Sequence, residues 1–285
     1  AAKDPRIVVV NRETNHGYGS SVNLGISMAK GEAVGIVDSD DCITPDMFQY
    51  MFDAMQKSSS DIVLNTSYID CNTNLPKGVS TYSYGLSDIV KNTAAISSMV
   101  GETININKVP DFLLVPCMPW NRLYRREFIK NIKFLETPGA SYQDISFSFK
   151  ALLETKSIHI TNKPLYCYRR YSGSSTTVDG KLQAIYDEVG ETISYIKKVE
   201  PSKRVAAYVG CAIYIVIAFH FQRVSKKYLA NLVYYAHQTL SQLKNDDIIN
   251  IGILQQGCQN DILSILNNPE AFLLQLYGRY YRSCS

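Results

Sequence analysis

Strand, helix and strand follow one another within about thirty residues, and this spacing constrains the fold most. Arg6 to Asn11 (RIVVVN) is a β-branched run. Ser21 to Lys30 repeats apolar residues at helical spacing (Val22, Ile26, Ala29), and Gly31 follows as a stop. Ala33 to Val37 (AVGIV) is a second short apolar run. Two such runs around one helix predict a βαβ unit with parallel strands, and hence an α/β protein. The second run ends in Asp38-Ser39-Asp40-Asp41, three carboxylates in one turn.

In open α/β sheets ligands bind outside the carboxyl ends of the strands. Three acids there repel one another unless a positive partner neutralises them. A hard divalent cation does so with oxygen ligands, taking one or two carboxylates and completing its shell with phosphate oxygens. The turn therefore predicts a site for a metal–diphosphate complex, with Mn²⁺ or Mg²⁺ as the ion. The competing explanation is an acidic helix N-terminus facing the macrodipole, which accounts for Asp46 but poorly for the other three. A calcium EF-hand is excluded, because with Asp38 as position 1 the required glycine is Ile43 and the required glutamate is Gln49. A dinucleotide fingerprint fails at Val22, where the third glycine would stand.

Further along, Thr44-Pro45-Asp46 predicts a helix start, followed by Met47, Met51 and Met55 on one face. Residues 61–69 read as a strand, 70–84 as a loop, 87–100 as a helix, 118–132 as a helix opened by Pro119, and 141–156 as another helix. Residues 158–170 read as strand, turn, strand. From about residue 180 strand signals vanish. Val205 to Phe221 is a 17-residue, mostly apolar stretch. A spanning helix needs about 20, so a buried bundle helix is expected. The reading gives a first domain over 1–177 and a helical region over 178–285.

The net charge of +3 is too mild to argue for nucleic acid. Seven scattered cysteines without a Cys-x-x-Cys pair fit a reducing compartment, and no zinc spacing occurs. Tyrosine, at 20 residues against 10 phenylalanines, suits carbohydrate surfaces as well as half-buried packing.

Residues 15–48 (NHGYGSSVNLGISMAKGEAVGIVDSDDCITPDMF) resemble the family 2 glycosyltransferases of the GT-A fold. Asn15-x-Gly17, Asn23-x-Gly25, Ala29-Lys30-Gly31-Glu32 and the acidic turn carry the match. PWNRLYRREFI (119–129), SYQD (141–144) and PLYCYRRYSGSST (164–176) extend it to about residue 177. The resemblance implies a mixed, mainly parallel sheet with flanking helices. It implies inverting transfer from a nucleotide-diphosphate sugar, a UDP-sugar being the first guess, to a glycan or lipid-linked acceptor. That role suits surface polysaccharide synthesis in the cytoplasm or at the inner membrane face, with the C-terminal helices as a peripheral membrane contact. Asp144 takes the place of the family's general base, while Gln143 replaces the usual acidic neighbour. Asn23, Asp38 and Asp40 fall at donor positions, and Asp40 or Asp41 is expected at the metal. Trp120, Asn121 and Arg169 are expected at the acceptor, with a core position for Trp120 and a solvated charge or diphosphate contact for Arg169 and Arg170 as alternatives. Asp144 also fits a plain helix cap.

The family begins with strand and helix units that grip the nucleobase, and these have no counterpart before residue 1. The expectation is an N-terminally incomplete transferase, weakly active or inactive as given. A non-catalytic module of the same fold, binding a glycan or protein partner, is the alternative.

Overall fold

The computed structural model describes residues 4–72, 75–81, 98–115, 118–137, 142–170 and 181–283. In chain order the elements are α1 (Gly17–Met28), β1 (Ala33–Gly35), β2 (Cys42–Ile43), α2 (Met47–Ser58), β3 (Ile62–Asn65), β4 (Ser67–Asn72), β5 (Leu75–Thr81), β6 (Thr103–Ile104), β7 (Arg122–Arg125), α3 (Arg126–Ile129), α4 (Asp144–Glu154), β8 (Ile158–Thr161) and β9 (Tyr166–Arg170). Helices α5 (Leu182–Val199), α6 (Lys203–Phe221), α7 (Lys226–Asn245), α8 (Gln256–Asn267) and α9 (Pro269–Ser283) complete the chain.

One sheet runs β1-β7-β3-β8-β6 and a second runs β2-β9-β4-β5. The mixed α/β class holds, but the sheets are not mainly parallel in their pairing. Among the described residues only β3 with β8 and β4 with β9 pair in parallel. The reason lies in residues 118–132, read from the sequence as one helix. They form a 3-10 turn (Pro119–Asn121), then β7, then the short α3. Strand β7 inserts antiparallel to both β1 and β3, so β1, β3 and β8 share a direction with a reversed strand between the first two. Residues 75–81 also form a strand where a loop was expected. The expected helix at 87–100 falls mostly outside the described residues.

The expected first strand is absent. Residues 6–11 pair with nothing regular, and Ile7, Val8, Val9 and Val10 are exposed. Among the described residues strand β1 bonds only to β7, so its other edge carries no strand and the β-branched run does not extend the sheet. Hence the βαβ unit read from residues 6–37 does not form.

Where apolar spacing is strong the sequence is followed closely. All four residues of β3 are buried, and helix α2 lays Met47, Met51 and Met55, each fully buried, over β3, β7 and β8. Each such side chain contributes on the order of 2 kcal/mol. The helix starts two residues later than the Thr44 cap predicts, with Asp46 at its N-cap position. The predicted strand–turn–strand at 158–170 is two strands of different sheets rather than a hairpin. The change at residue 180 is real, since every element from Leu182 on is helical.

Helix α6 passes a length and hydropathy test for crossing a membrane, at mean hydropathy 1.7. It is packed within the fold against Pro110–Leu114, α5 and α7, and Val209, Ile213 and Ile217 are fully buried. Gly210 permits this, because a Cβ there would stand 2.2 Å from the Ile248 carbonyl oxygen. The expected bundle helix is what forms.

Candidate active site

The acidic turn leaves the carboxyl end of β1 and is held in shape by β9. The Tyr166 hydroxyl donates to Asp41 Oδ2 at 2.8 Å and accepts from the Asp38 backbone N–H at 3.1 Å. The Arg169 N–H donates to Asp41 Oδ1 at 2.8 Å, and Arg169 Nε donates to the Asp40 carbonyl. Asp41 thus spends both oxygens inside the protein. Burial still raises its pKa against these donors. Asp38 Oδ1 is buried without a hydrogen-bond partner among the described residues. Burial, with Asp41 and Asp40 adding to it, pushes Asp38 up to about 6, while the Tyr18 hydroxyl pulls the other way.

Tyr18, in the first turn of α1, links the two halves of the site. Its hydroxyl meets Asp38, and the charges of both Asp38 and Asp144 bear on it. Helix α1 reaches this position because Gly19 lets it press on the 134–136 segment. A Cβ on Gly19 would lie 2.3 Å from the Leu135 carbonyl oxygen. Asn23 completes the seam, accepting from the Phe134 N–H at 2.9 Å and donating to the Phe134 carbonyl at 3.0 Å and Glu136 Oε1 at 2.8 Å. Its side chain is committed to this seam, so the expected donor contact gives way to a positioning role.

Asp144 opens α4. Burial raises its carboxyl to about 7, Glu188 and Asp38 push the same way, and its own backbone N–H and Arg122 oppose. Gln143, the departure from the family pattern, has a definite use. Its Oε1 accepts from the Gly19 N–H at 2.6 Å and its Nε2 donates to the Thr137 carbonyl at 2.7 Å. A carboxylate could accept the first bond but not donate the second. Tyr142, just before it, holds φ at +72° and packs edge-on to His220 of α6.

Support for Asp144 also comes from residues outside the sequence reading. Glu188 on α5 is buried, and its Oε2 accepts from the Ser146 N–H at 2.7 Å, capping α4 from a different helix. Burial pushes Glu188 itself up to about 7. Arg122, fully buried in β7, lies near enough to favour the charged form of Asp144. Neither stands out in the sequence, since Glu188 follows Asp187 directly and Arg122 lies just before Arg125 and Arg126.

The acceptor expectations are revised. Trp120 is 6% exposed and sits in an aromatic cluster, stacked on Tyr166 at 4.2 Å and Tyr168 at 5.4 Å with Tyr68 edge-on. Its core alternative holds, and it braces the tyrosine that holds the turn. Asn121 is fully buried and donates to the carbonyls of Asn65 and Ser67, where the chain passes from β3 to β4. Arg169 is tied to the acidic turn through Asp41 and the Asp40 carbonyl. No three His, Cys, Asp or Glu side chains converge as a metal cage among the described residues. Both oxygens of Asp41 are taken by Tyr166 and Arg169, so a cation here would be held through Asp38 and Asp40 and would need further oxygens from a diphosphate.

Comparison with known proteins agrees with this geometry. The family model described as glycosyl transferase family 2 matches residues 1–133. The first 133 residues thus carry the glycosyl transferase family 2 pattern. Glycosyltransferase GlyG of Streptococcus pneumoniae is 27% identical over 172 residues, 60% of this chain and 55% of that protein. Putative glycosyltransferase EpsH of Bacillus subtilis is 29% identical over 183 residues, 61% of this chain and 47% of that protein. The chain spans about half the length of these curated relatives. Among solved structures, S. aureus TarS residues 1–349 in complex with UDP-GlcNAc aligns at a TM-score of 0.67 and 14% identity, over 95% of this chain and 74% of that one. The same fragment with UDP aligns at 0.63. At such identity the likeness speaks for the fold, which is GT-A-like.

Proposed function

We propose that this chain is a family 2 glycosyltransferase and transfers a sugar from a nucleotide-diphosphate sugar to a glycan or lipid-linked hydroxyl, with inversion. The reading rests chiefly on one observation. The acidic turn and the half-buried Asp144 lie close enough for Asp38 to act on Asp144 and for both to act on Tyr18. Donor diphosphate would lie at the turn, and the acceptor hydroxyl would approach from the Asp144 side. Asp144, raised to about 7 by burial, removes the hydroxyl proton as the oxygen attacks the anomeric carbon. The C–O bond to the diphosphate breaks on the opposite face, so a single displacement inverts the centre. Arg122 and Tyr18 hold Asp144 and Asp38 in place on either side. When bound, Mn²⁺ or Mg²⁺ would supply positive charge for the leaving diphosphate, held by Asp38 and Asp40. A UDP-sugar is the first donor to test, because the TarS structures carry UDP and UDP-GlcNAc.

We place the work in polysaccharide assembly on the cytoplasmic side of the cell membrane. Phe219, Leu263 and Leu274 are exposed on the C-terminal helices and suit peripheral contact with a membrane bearing a lipid-linked acceptor. The reading of a non-catalytic module draws on the β1 edge that carries no strand among the described residues and on the exposed Ile7–Val10 run. Gln143 no longer favours it, since the amide is built into the loop that carries Asp144.

Calorimetric titration with UDP and Mn²⁺, beside GDP and beside an Asp40→Ala variant, tests the proposal. We expect saturable, metal-dependent binding that weakens at least tenfold in the variant. A folded wild-type sample that binds neither nucleotide, with or without Mn²⁺, would refute the donor site.

A further inference from the structure

Directly behind the acidic turn, three cysteines meet on adjacent strands of the second sheet. Cys42 of β2 and Cys167 of β9 are directly opposed partners in an antiparallel pair. Opposed residues in such a pair have Cα atoms about 4.5–5.5 Å apart and side chains on the same face. That separation lies inside the range a disulfide needs, about 4.4–6.8 Å. Cys167 interacts with the thiols of both Cys42 and Cys71, the latter on β4. The two partners differ in access, since Cys42 is exposed, Cys167 half-buried and Cys71 buried.

We propose that Cys42 and Cys167 are a modification site, a dithiol that closes to a cross-strand disulfide in the presence of a peroxide. The exposed Cys42 meets the oxidant first. Its sulfur attacks one peroxide oxygen, the O–O bond breaks, and sulfenic acid and one water form. The sulfur of Cys167 then displaces the hydroxyl as a second water, its own proton leaving with it. Two thiols lose two electrons and hydrogen peroxide is reduced to two waters. Burial and the neighbouring thiols push Cys167 up to about 12, which makes it the slower, resolving partner.

The bond acts on the turn because the same residues carry both. Cys42 follows Asp41 directly, and Cys167 lies two residues before Arg169, whose N–H holds Asp41. Closure within the existing β2–β9 pair turns both cysteine side chains toward each other and shifts the adjoining Asp41–Arg169 contact. This consequence rests on the turn being a donor site, whereas the bond itself does not.

The test treats the native reduced protein with hydrogen peroxide, blocks remaining thiols, digests without reductant and maps linked peptides by mass spectrometry. A Cys42–Cys167 peptide is expected, in the wild type and equally in Cys71→Ser, and lost on reduction. An unlinked Cys167 beside an oxidised Cys42, or linkage of either to another cysteine, overturns the pairing. UDP titration of the same samples is expected to show affinity at least threefold weaker after oxidation and restored by dithiothreitol. Equal affinity in a fully linked sample overturns the effect on the turn. If the reduced protein binds no UDP, the donor reading has failed, and the peptide map still decides the bond.

Discussion

The acidic turn and the Asp144 loop both carry carboxylates that burial raises, but they are held from different parts of the fold. The turn is held by hydrogen bonds from β9, through Tyr166 and Arg169, and its fixed point is Asp41. The Asp144 loop is held by burial and by charges from distant segments, Glu188 on α5 and Arg122 on β7. Hydrogen bonds to both oxygens fix Asp41 and set the shape of the turn, while burial lifts Asp38 to about 6. At Asp144 burial, with Glu188 and Asp38, brings the pKa to about 7, so its charged form is a stronger base than a solvated carboxylate.

The sharpest way to break this comparison is Asp144→Asn. We expect the release of UDP from a UDP-sugar donor, with acceptor present, to fall by about 10²–10⁴-fold, while UDP binding with Mn²⁺ stays within a factor of two. The same change is expected to raise the melting temperature at pH 8, because it removes a charge that burial disfavours. A parallel loss of UDP binding would merge the two sites into one and contradict the division.

Tyr166→Phe tests the turn in the same way. The hydroxyl serves one charged acceptor and one backbone donor, and losing it is worth about 1.4 kcal/mol, or about tenfold in UDP affinity. Trp120 stacks on this ring, so its packing should be preserved in the phenylalanine variant. Unchanged affinity would show that Arg169 suffices to hold Asp41.

The stability of the chain should fall as pH rises, a smaller effect. Asp38, Asp144 and Glu188 all have folded-state values raised above those of the unfolded chain, to about 6, 7 and 7. Between roughly pH 4 and 7 the folded state therefore binds more protons than the unfolded one, and stability declines across that window. A melting temperature a few degrees lower at pH 8 than at pH 5 is expected, with UDP and Mn²⁺ narrowing the gap by stabilising charged Asp38. A melting temperature that rises with pH would mean that these carboxyls are solvated.

What was legible in the sequence follows the range of the interactions involved. The turn, the Met47–Met51–Met55 face and the helical C-terminal half depend on local spacing, and all were readable. Asp144 was readable through an ordered set of motifs. Strand β7 was not, because Arg122–Arg125 lies between a proline turn and a helical turn, and its strand form comes from β1 and β3 closing on it. The same holds for Trp120, Asn121, Asn23 and Arg169. Their residue types suit ligand contact, and only their tertiary partners show that they brace the residues that would make it. The run at residues 6–11 failed in the opposite sense, with strong strand propensity and no strand pairing among the described residues.

Glu188 offers the finest test of the comparison, because it lies in the helical half yet bears on Asp144. Its carboxylate caps α4 through the Ser146 N–H and adds negative charge near Asp144. Glu188→Gln keeps an oxygen for the Ser146 bond and removes the charge. Asp38 and Arg122 remain as the other charged groups acting on Asp144, one raising and one lowering it. Without Glu188 the carboxyl of Asp144 titrates lower, so the acid limb of the activity–pH profile should move down by less than one pH unit, with activity at pH 8 little changed. Glu188→Ala removes the cap as well and should lower the melting temperature in addition. A glutamine variant with an unmoved acid limb would reduce Glu188 to a cap alone, and the protonation of Asp144 would then be set by burial, Asp38 and Arg122.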